Sequence, residues 1–314
     1  MGGSGGDMVD WRGTAKYLTY RGLATSMGHV PEPVARTFVG LVTRAMAWRG
    51  GSALFMNERH MQRVLAFECV DGVVPDRALV RRLSRRSYIQ YGRYWIDGSR
   101  LPYTAVEAIR HRWLFSTGSE EILRAAQVQK RAMVMALPHV GSWEWGGAWL
   151  ASEEMPMTAV VERIEPERLF EWFVGQRRQM GLTAVPLGEG SSAAVLRALR
   201  ADQLVGLVSD RDLMGNGVDV TFFGERTTLP AGAATLALRT GAILLPVTVY
   251  AGPGRWNTGV VHRPLDTTRM GSMRADVQRL TQELATIFEE DILQRPEQWH
   301  LYQPNWPSDE AGHR

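Results

Sequence analysis

The stretch AMVMALPHVGSWEWGGAWL, residues Ala132–Leu150, decides the fold. Its first residues are apolar without a break, as in a strand that is buried on both faces. Pro138 and His139 end that strand, and a glycine and a serine then open a helix that carries Glu144. Strand-to-helix turns of this kind hold their residues rigidly and direct backbone N–H groups into a cleft. The stretch therefore predicts an α/β fold with a base and an acid at one turn.

The chain after Lys130 alternates short apolar segments with segments of helical periodicity. This rhythm predicts a mostly parallel central sheet flanked by helices on both faces. The predicted strands are Ala132–Leu137, Met157–Arg163, Thr183–Leu187, Leu204–Ser209, Val218–Phe223, Ala242–Val249 and one near Gly259–His262. The predicted helices are Trp143–Ser152, Pro166–Met180, Ser191–Arg200, Ala231–Thr240 and Met273–Leu293.

The region before Lys130 has a different composition and pattern. Residues 1–8 are glycine-rich and predict a flexible leader. Residues 9–129 are rich in alanine, leucine, methionine and arginine, and they predict an N-terminal helical layer that belongs to the same domain as an α/β core over residues 130–314. The predicted helices of its first part are Trp11–Met27, Pro33–Trp48 and Ala53–Phe67.

Composition limits the classes of function. The 314 residues are 45% hydrophobic, and the single cysteine, Cys69, excludes an internal disulfide and suits a reducing compartment. A net charge of +3 gives no reason to expect a nucleic-acid partner. The seven histidines form no closely spaced pair, so no metal site is predicted. The most apolar window, Ala231–Tyr250, is interrupted by Arg239, so we expect no membrane-spanning helix.

Residues 77–112 carry nine arginines interleaved with tyrosine and tryptophan. Such a mixture is typical of an anionic interface, either the headgroups of a membrane or a nucleic acid. The alternative is a solvated helix face beside an aromatic stripe that packs in the core. The sequence leaves both interpretations open.

Polar and charged residues follow several of the predicted strands. Because the carboxyl ends of parallel strands meet at one edge of a sheet, these residues should lie near each other. A carboxylate that accepts a hydrogen bond from one ring nitrogen of His139 would leave the other nitrogen free to take a proton. Spacing does not decide which acid does this. The strand-end residues are His139, Glu162, Asp210, Arg211 and Asp212.

Arg177 lies on an apolar helix face, four residues after Phe173 and seven after Phe170. A guanidinium in that position needs an anion nearby. The candidates are Glu162, another acid of the protein, or a phosphate of the substrate.

Residues 188–193 read GEGSSA and match a dinucleotide-binding GxGxxA, with Asp210 at about the expected distance of 20 residues. This motif supports an alternative function as an NAD(P)-binding oxidoreductase. A second alternative is a non-catalytic membrane-binding protein that uses the basic aromatic surface.

Four segments together resemble the lipid A biosynthesis (lauroyl/myristoyl) acyltransferases of the glycerolipid acyltransferase superfamily. The resemblance covers residues 130–306, most of the core, and within the family it is strongest to the actinobacterial phosphatidylinositol mannoside acyltransferases. One difference is Glu144, where the mannoside enzymes usually have aspartate. The four segments are Pro138–Glu144 with its His-x4-Glu, Ser209–Leu213, the Phe222–Gly224 and Leu229–Gly232 pair, and Pro296–Trp299.

The resemblance implies a peripheral protein on the cytoplasmic face of the plasma membrane. It implies transfer of a long-chain acyl group from acyl-CoA or acyl carrier protein to a sugar hydroxyl of a glycolipid, with acyl-CoA as a co-substrate and no cofactor. The catalytic residues would be His139 as the general base, Glu144 as the acidic member of the motif and Asp210 as the acid that pairs with the histidine. The substrate-binding residues would be Glu162, Arg177, Arg211 and Asp212.

Overall fold

The structure is a computed structural model that describes residues 11–69 and 74–310, so the predicted leader lies outside the described residues. The helices are α1 (Trp11–His29), α2 (Glu32–Arg49), α3 (Ser52–Glu68), α4 (Arg77–Arg100), α5 (Val106–His111), α6 (Ser119–Val128), α7 (Trp143–Ser152), α8 (Glu167–Gln179), α9 (Ser191–Arg200), α10 (Gly232–Thr240), α11 (Met273–Gln294) and α12 (Pro307–Glu310). The strands are β1 (Trp113–Phe115), β2 (Met133–Leu137), β3 (Met157–Val161), β4 (Thr183–Pro186), β5 (Leu204–Val208), β6 (Val218–Phe222), β7 (Glu225–Leu229), β8 (Ile243–Ala251) and β9 (Asn257–Val261).

Seven strands form one sheet in the order β1-β9-β8-β2-β5-β3-β4. Strands β8, β2, β5, β3 and β4 are parallel, whereas β9 runs antiparallel to β8. Helices cover both faces, which confirms the predicted α/β architecture with its N-terminal helices.

The central strand β2 is buried on both faces, as its continuous apolar sequence predicts. Side chains alternate between the faces of a strand, so Val134 and Ala136 enter the core cluster that includes α10 and α11. Met133 and Met135 enter the other cluster, which includes α7. The position of β2 between β5 and β8 places its carboxyl end in the middle of the sheet edge.

Two strands were not predicted. Residues 113–115, within the predicted helical layer, form β1 and pair with β9 at the sheet edge. The predicted strand at 218–223 does form, but within the described residues it pairs only with β7, in a separate hairpin. Phe223 and Gly224 connect this hairpin with φ values of 50° and 74°, the conformation of a type I′ turn. Because phenylalanine is unusual at that turn position, the sequence did not indicate the hairpin.

Helix α4 is the centre of the N-terminal layer and packs against α1, α2 and α3. Its buried residues include Val80, Leu83 and Ile96, and the arginines of its first half are exposed. A buried carboxylate joins α4 to α2 within this layer: Asp97 accepts from Arg36 of α2 and from Arg93 of its own helix. None of the helices within residues 11–69 and 74–310 is long and apolar enough to cross a bilayer.

Gly141, in the turn after β2, is held in a conformation that suits glycine. Its φ is +59°, and a Cβ at this position would overlap the backbone carbonyl of Val249 in β8. The close approach lets Ser142 N donate to Val249 O at 3.2 Å and Gly141 N donate to Gln298 O at 3.0 Å. The turn is therefore fixed by backbone contacts on two sides.

We expect Gly141→Ala to destabilise the protein by about 3 kcal/mol or more, because alanine adds both backbone strain and overlap with a rigid strand. Urea unfolding followed by circular dichroism measures this change. Gly175→Ala in α8 is the matched control, since a Cβ there meets nothing within 4 Å. It should be neutral or stabilising by up to about 1 kcal/mol. Equal midpoints for the two variants would contradict the close packing of this turn.

Candidate active site

The register between β2 and β5 brings His139 and Asp210 together. Leu137 and Val208 are paired across these parallel strands, and His139 and Asp210 each lie two residues beyond. A hydrogen bond from Ser209 N to Leu137 O, 2.8 Å long, continues the pairing past the strand ends. The two side chains therefore leave the sheet at the same level.

The two side chains form a tight hydrogen-bonded pair. Nδ1 of His139 lies 2.6 Å from Oδ1 of Asp210, and the backbone N of His139 donates to Oδ2 at 3.0 Å. Because an ionised carboxylate only accepts, Nδ1 carries the proton and Nε2 of a neutral His139 is a free base. Asp210 is fully buried, whereas the side chain of His139 is 34% exposed at the surface of a cleft.

The surroundings shift both pKa values. Burial lowers the pKa of His139, but the charge and hydrogen bond of Asp210 together outweigh it, so that the pKa is raised above its ordinary value. Burial raises the pKa of Asp210, and the charge of His139 with the hydrogen bonds from His139 and Trp299 reverses this effect, so that the pKa is lowered. Asp210 is thus an anion that polarises His139.

Glu144, the acid of the His-x4-Glu pattern, is bonded to other partners. Its Oε1 accepts from Nη2 of Arg177 at 3.1 Å and from the hydroxyl of Tyr94 at 2.9 Å. Arg177 also lies over the rings of Trp143 and Phe173, at 5.2 and 5.9 Å from their centroids. The anion that Arg177 requires is therefore an acid of the protein, namely Glu144.

Some polar atoms of this network and its surroundings have no hydrogen-bond partner. Oε2 of Glu144 and Nε of Arg177 are buried without a hydrogen-bond partner, as is Oγ of Ser142. Ser142 occupies the N-cap position of α7 but makes no capping hydrogen bond. Buried polar groups are normally paired, so these atoms mark a place where polar groups of a ligand could be bound.

The other strand-end residues have separate positions. Asp212 is directed into its own loop, where its carboxylate accepts from the backbone N of Met214, Gly215 and Gly217. Of the two acids that spacing left open, Asp210 contacts His139. Arg211 and Glu162 line the cleft.

The cleft has a volume of about 830 Å³, and His139 is part of its lining. One part of the lining, here called the polar arm, consists of Glu144, Arg177 and aromatic side chains of α4, α7 and α8. Another part, the apolar arm, comes mainly from α9 and α10 and is mostly apolar, with Val195, Leu196, Leu207 and Leu236 beside Thr235 and Arg239. The cleft that contains His139 therefore has both polar and apolar walls.

The GxGxxA segment connects β4 to α9 at the edge of the sheet. In a dinucleotide site Asp210 would have to accept a hydrogen bond from a ribose. Its carboxylate is instead fully buried and bonded to His139 and Trp299. The geometry therefore gives the oxidoreductase alternative no acidic ribose-binding residue at this position.

Three residues of the site were not predicted from the sequence to be functional. Tyr94 comes from the basic aromatic region, whose tyrosines at 91 and 94 line the cleft. Trp299 donates from Nε1 to Oδ2 of Asp210 at 2.8 Å, and His300 lines the cleft beside His139. Burial and the charge of His139 lower the pKa of His300 to about 3, so it is neutral. The Pro296–Trp299 segment was noticed only through its resemblance to other proteins.

We predict that Asp210→Asn lowers the pKa of His139 from above to below its ordinary value, since burial then acts without the compensating charge. An NMR titration of protein with 13C-labelled histidine measures the change. Asp212→Asn removes the same charge from the same loop and should leave the titration of His139 near its original midpoint. An equal shift in both variants would show that net charge, and not the contact with Asp210, controls the pKa of His139.

Comparisons with known proteins identify the family of this chain. The sequence profile of the family "Bacterial lipid A biosynthesis acyltransferase" matches residues 12–308. A phosphatidylinositol mannoside acyltransferase of Mycobacterium tuberculosis strain H37Rv is 35% identical over 309 residues, covering 96% of this chain and 89% of the relative. A protein of the same name from Mycolicibacterium smegmatis is 36% identical over 288 residues, covering 91% of this chain and 89% of the relative. The chain belongs to the bacterial lipid A biosynthesis acyltransferase family and is an acyltransferase.

Proposed function

We propose that this acyltransferase moves a long-chain acyl group from acyl-CoA or acyl carrier protein to a sugar hydroxyl of a glycolipid, specifically a phosphatidylinositol mannoside. The observation that carries the proposal is the His139–Asp210 pair, whose histidine lies in the wall of a cleft with both polar and apolar lining. Two relatives of similar length that are named phosphatidylinositol mannoside acyltransferases support the acceptor.

His139 acts as the general base. Its Nε2 takes the proton of the acceptor hydroxyl while Asp210 stabilises the imidazolium that forms. The acceptor oxygen attacks the thioester carbonyl, and the tetrahedral intermediate expels the thiolate, which receives the proton from His139. Arg211 lines the cleft close enough to lower the pKa of His139 by its charge, so it can stabilise negative charge in the reaction.

The two arms divide the substrates between them. The apolar arm between α9 and α10 suits the acyl chain, because a methylene chain is favourably removed from water there. The polar arm suits the sugar headgroup. Glu144 and Arg177 would bind its hydroxyl and phosphate groups, Glu162 would contact the headgroup from the end of β3, and Asp212 would act by shaping the loop that carries Arg211.

A glycolipid substrate lies in a membrane, so the enzyme has to contact one. We assign this contact to α2, at the cytoplasmic face of the plasma membrane. Its outer face exposes large apolar side chains, among them Phe38 at 52%, Leu41 at 60% and Trp48 at 81%. Arg85 of α4 lies over the Trp48 ring at 5.7 Å from its centroid and joins this face to the exposed arginines of α4. An apolar helix face bordered by arginines suits insertion among anionic headgroups.

The transfer reaction tests the proposal directly. We expect His139→Ala to lower kcat/KM for acyl transfer by about 10³-fold, because the general base is lost. Purified protein is incubated with labelled palmitoyl-CoA and phosphatidylinositol mannoside, and the product is identified by mass.

The control for this test is His262→Ala. His262 also pairs with a buried aspartate, lying 3.0 Å from Asp291, but it does not line the cleft. That variant should keep activity within about three-fold of the original, as expected for a change away from the reacting groups. A fully active His139→Ala protein, or transfer to no sugar lipid at all, would contradict the proposed function.

Membrane contact is tested with vesicles. The double variant Phe38→Ser/Leu41→Ser should bind vesicles of phosphatidylcholine with 30% phosphatidylglycerol at least about ten-fold more weakly in sedimentation, because two apolar side chains no longer insert. Val128→Ser/Met270→Ser removes exposed apolar side chains elsewhere, at 79% and 68% exposure, and should bind normally. Equal binding by both double variants would exclude α2 as the contact.

A further inference from the structure

The C-terminal segment Gln298–His300 lies directly against the turn that carries His139. His300 N donates to His139 O at 2.8 Å, and Trp299 forms an isolated antiparallel bridge with Val140. Together with the Gly141–Gln298 hydrogen bond, these contacts add a short extra strand to the turn. The position of Trp299 is thus coupled to the backbone of the candidate base.

Trp299 is fixed from its other sides as well. Its side chain is fully buried and packs against the rings of His60, Phe222 and Phe223. The preceding Gln298 holds β8 through both atoms of its amide, donating to Ala251 O and accepting from Ala251 N, each at 2.8 Å. An indole held in this way has one orientation, and in that orientation its N–H meets Asp210.

Asp210 divides its two oxygens between separate donors. Oδ1 faces Nδ1 of His139, whereas Oδ2 accepts from the backbone N of His139 and from Nε1 of Trp299 at 2.8 Å. A donor on Oδ2 withdraws electron density from the carboxylate and prevents its rotation. Both effects act on the bond to the imidazole, which is the group that must release and take up a proton.

We propose that Trp299 is a positioning residue whose indole N–H fixes the rotation of Asp210 and limits how strongly that carboxylate retains the proton on His139. This role rests on the proposed function of His139 as the general base. Without the indole donor, Asp210 becomes a stronger acceptor for the imidazolium, and a larger fraction of His139 stays protonated and inactive at a given pH.

Besides Asp210, the charged and titratable groups that act on His139 keep their charge when Trp299 is replaced. These groups are Arg211 after β5, Glu162 after β3 and His300 in the C-terminal segment. His300 is uncharged near neutral pH because burial and the charge of His139 lower its pKa to about 3. The direction of the effect therefore follows from the lost hydrogen bond.

The matched pair for the test is Trp299→Phe and Trp306→Phe. Trp306 is 2% exposed, packs in the same aromatic cluster and donates from Nε1 to the backbone carbonyl of Phe222 at 3.2 Å. Both substitutions remove a buried indole donor and leave a similar cavity. Only the first removes a donor from Asp210.

We expect the NMR titration midpoint of His139 to move to higher pH in Trp299→Phe and to stay in place in Trp306→Phe. The titration uses protein with 13C-labelled histidine, with the His139 signal assigned by comparison with His139→Gln. In the pH profile of acyl transfer, we compare the ratio of kcat/KM at pH 6 to kcat/KM on the alkaline plateau. This ratio should be about five- to ten-fold smaller in Trp299→Phe than in the original protein, whereas Trp306→Phe should keep the original profile.

An unchanged or lower midpoint for His139 in Trp299→Phe contradicts the positioning role, as does an equal shift in both variants. If Trp299→Phe does not fold, 3-benzothienylalanine at position 299 keeps the shape of the indole and removes the N–H, and the same outcomes apply. The titration decides the role of Trp299 even when activity is absent. Full activity of His139→Gln would instead contradict the proposed function while leaving the titration result valid.

Discussion

The buried carboxylate of Asp210 is the constraint on which the site depends. An ionised carboxylate without solvent contact is costly unless its oxygens are paired, and here three donors pair them. These donors come from the turn after β2 and from the C-terminal segment. Asn305 adds a hydrogen bond from Nδ2 to the backbone O of Asp210 at 3.1 Å. The charge that raises the pKa of His139 is therefore maintained in a buried position by donors from distant parts of the chain.

The chain that continues from the C-terminal segment to Glu310 is itself anchored to the N-terminal layer. Asp309 accepts from Arg63 at 2.7 Å, lies 3.3 Å from Nε2 of His60 and binds the backbone N of Asn305 at 3.0 Å. Helix α3 thus holds the segment that supplies Trp299 and Asn305. The helical layer also reaches the candidate site directly, because Tyr94 of α4 donates to Glu144 in the polar arm.

The two acids of the site have different hydrogen-bond partners. Asp210 faces the imidazole, and Glu144 is bonded to Arg177 and Tyr94. Sequence spacing places Glu144 five residues after His139, which suggested that the two act on one turn. In the helix that follows, Glu144 points toward α8 and α4, so its contribution is to the arm that we assign to the acceptor.

The sequence by itself determined the fold class, most of the strands and helices, and the location of His139, Glu144 and Asp210 at the carboxyl ends of strands or in the first turn of a helix. These features follow from local periodicity, which acts over a few residues. Only the tertiary structure decided that β2 neighbours β5, that Asp210 and not Asp212 contacts His139, and that Trp299 closes the pair. Strand order and the contacts of residues 71 and 89 positions apart depend on how layers pack, and no local pattern encodes that packing.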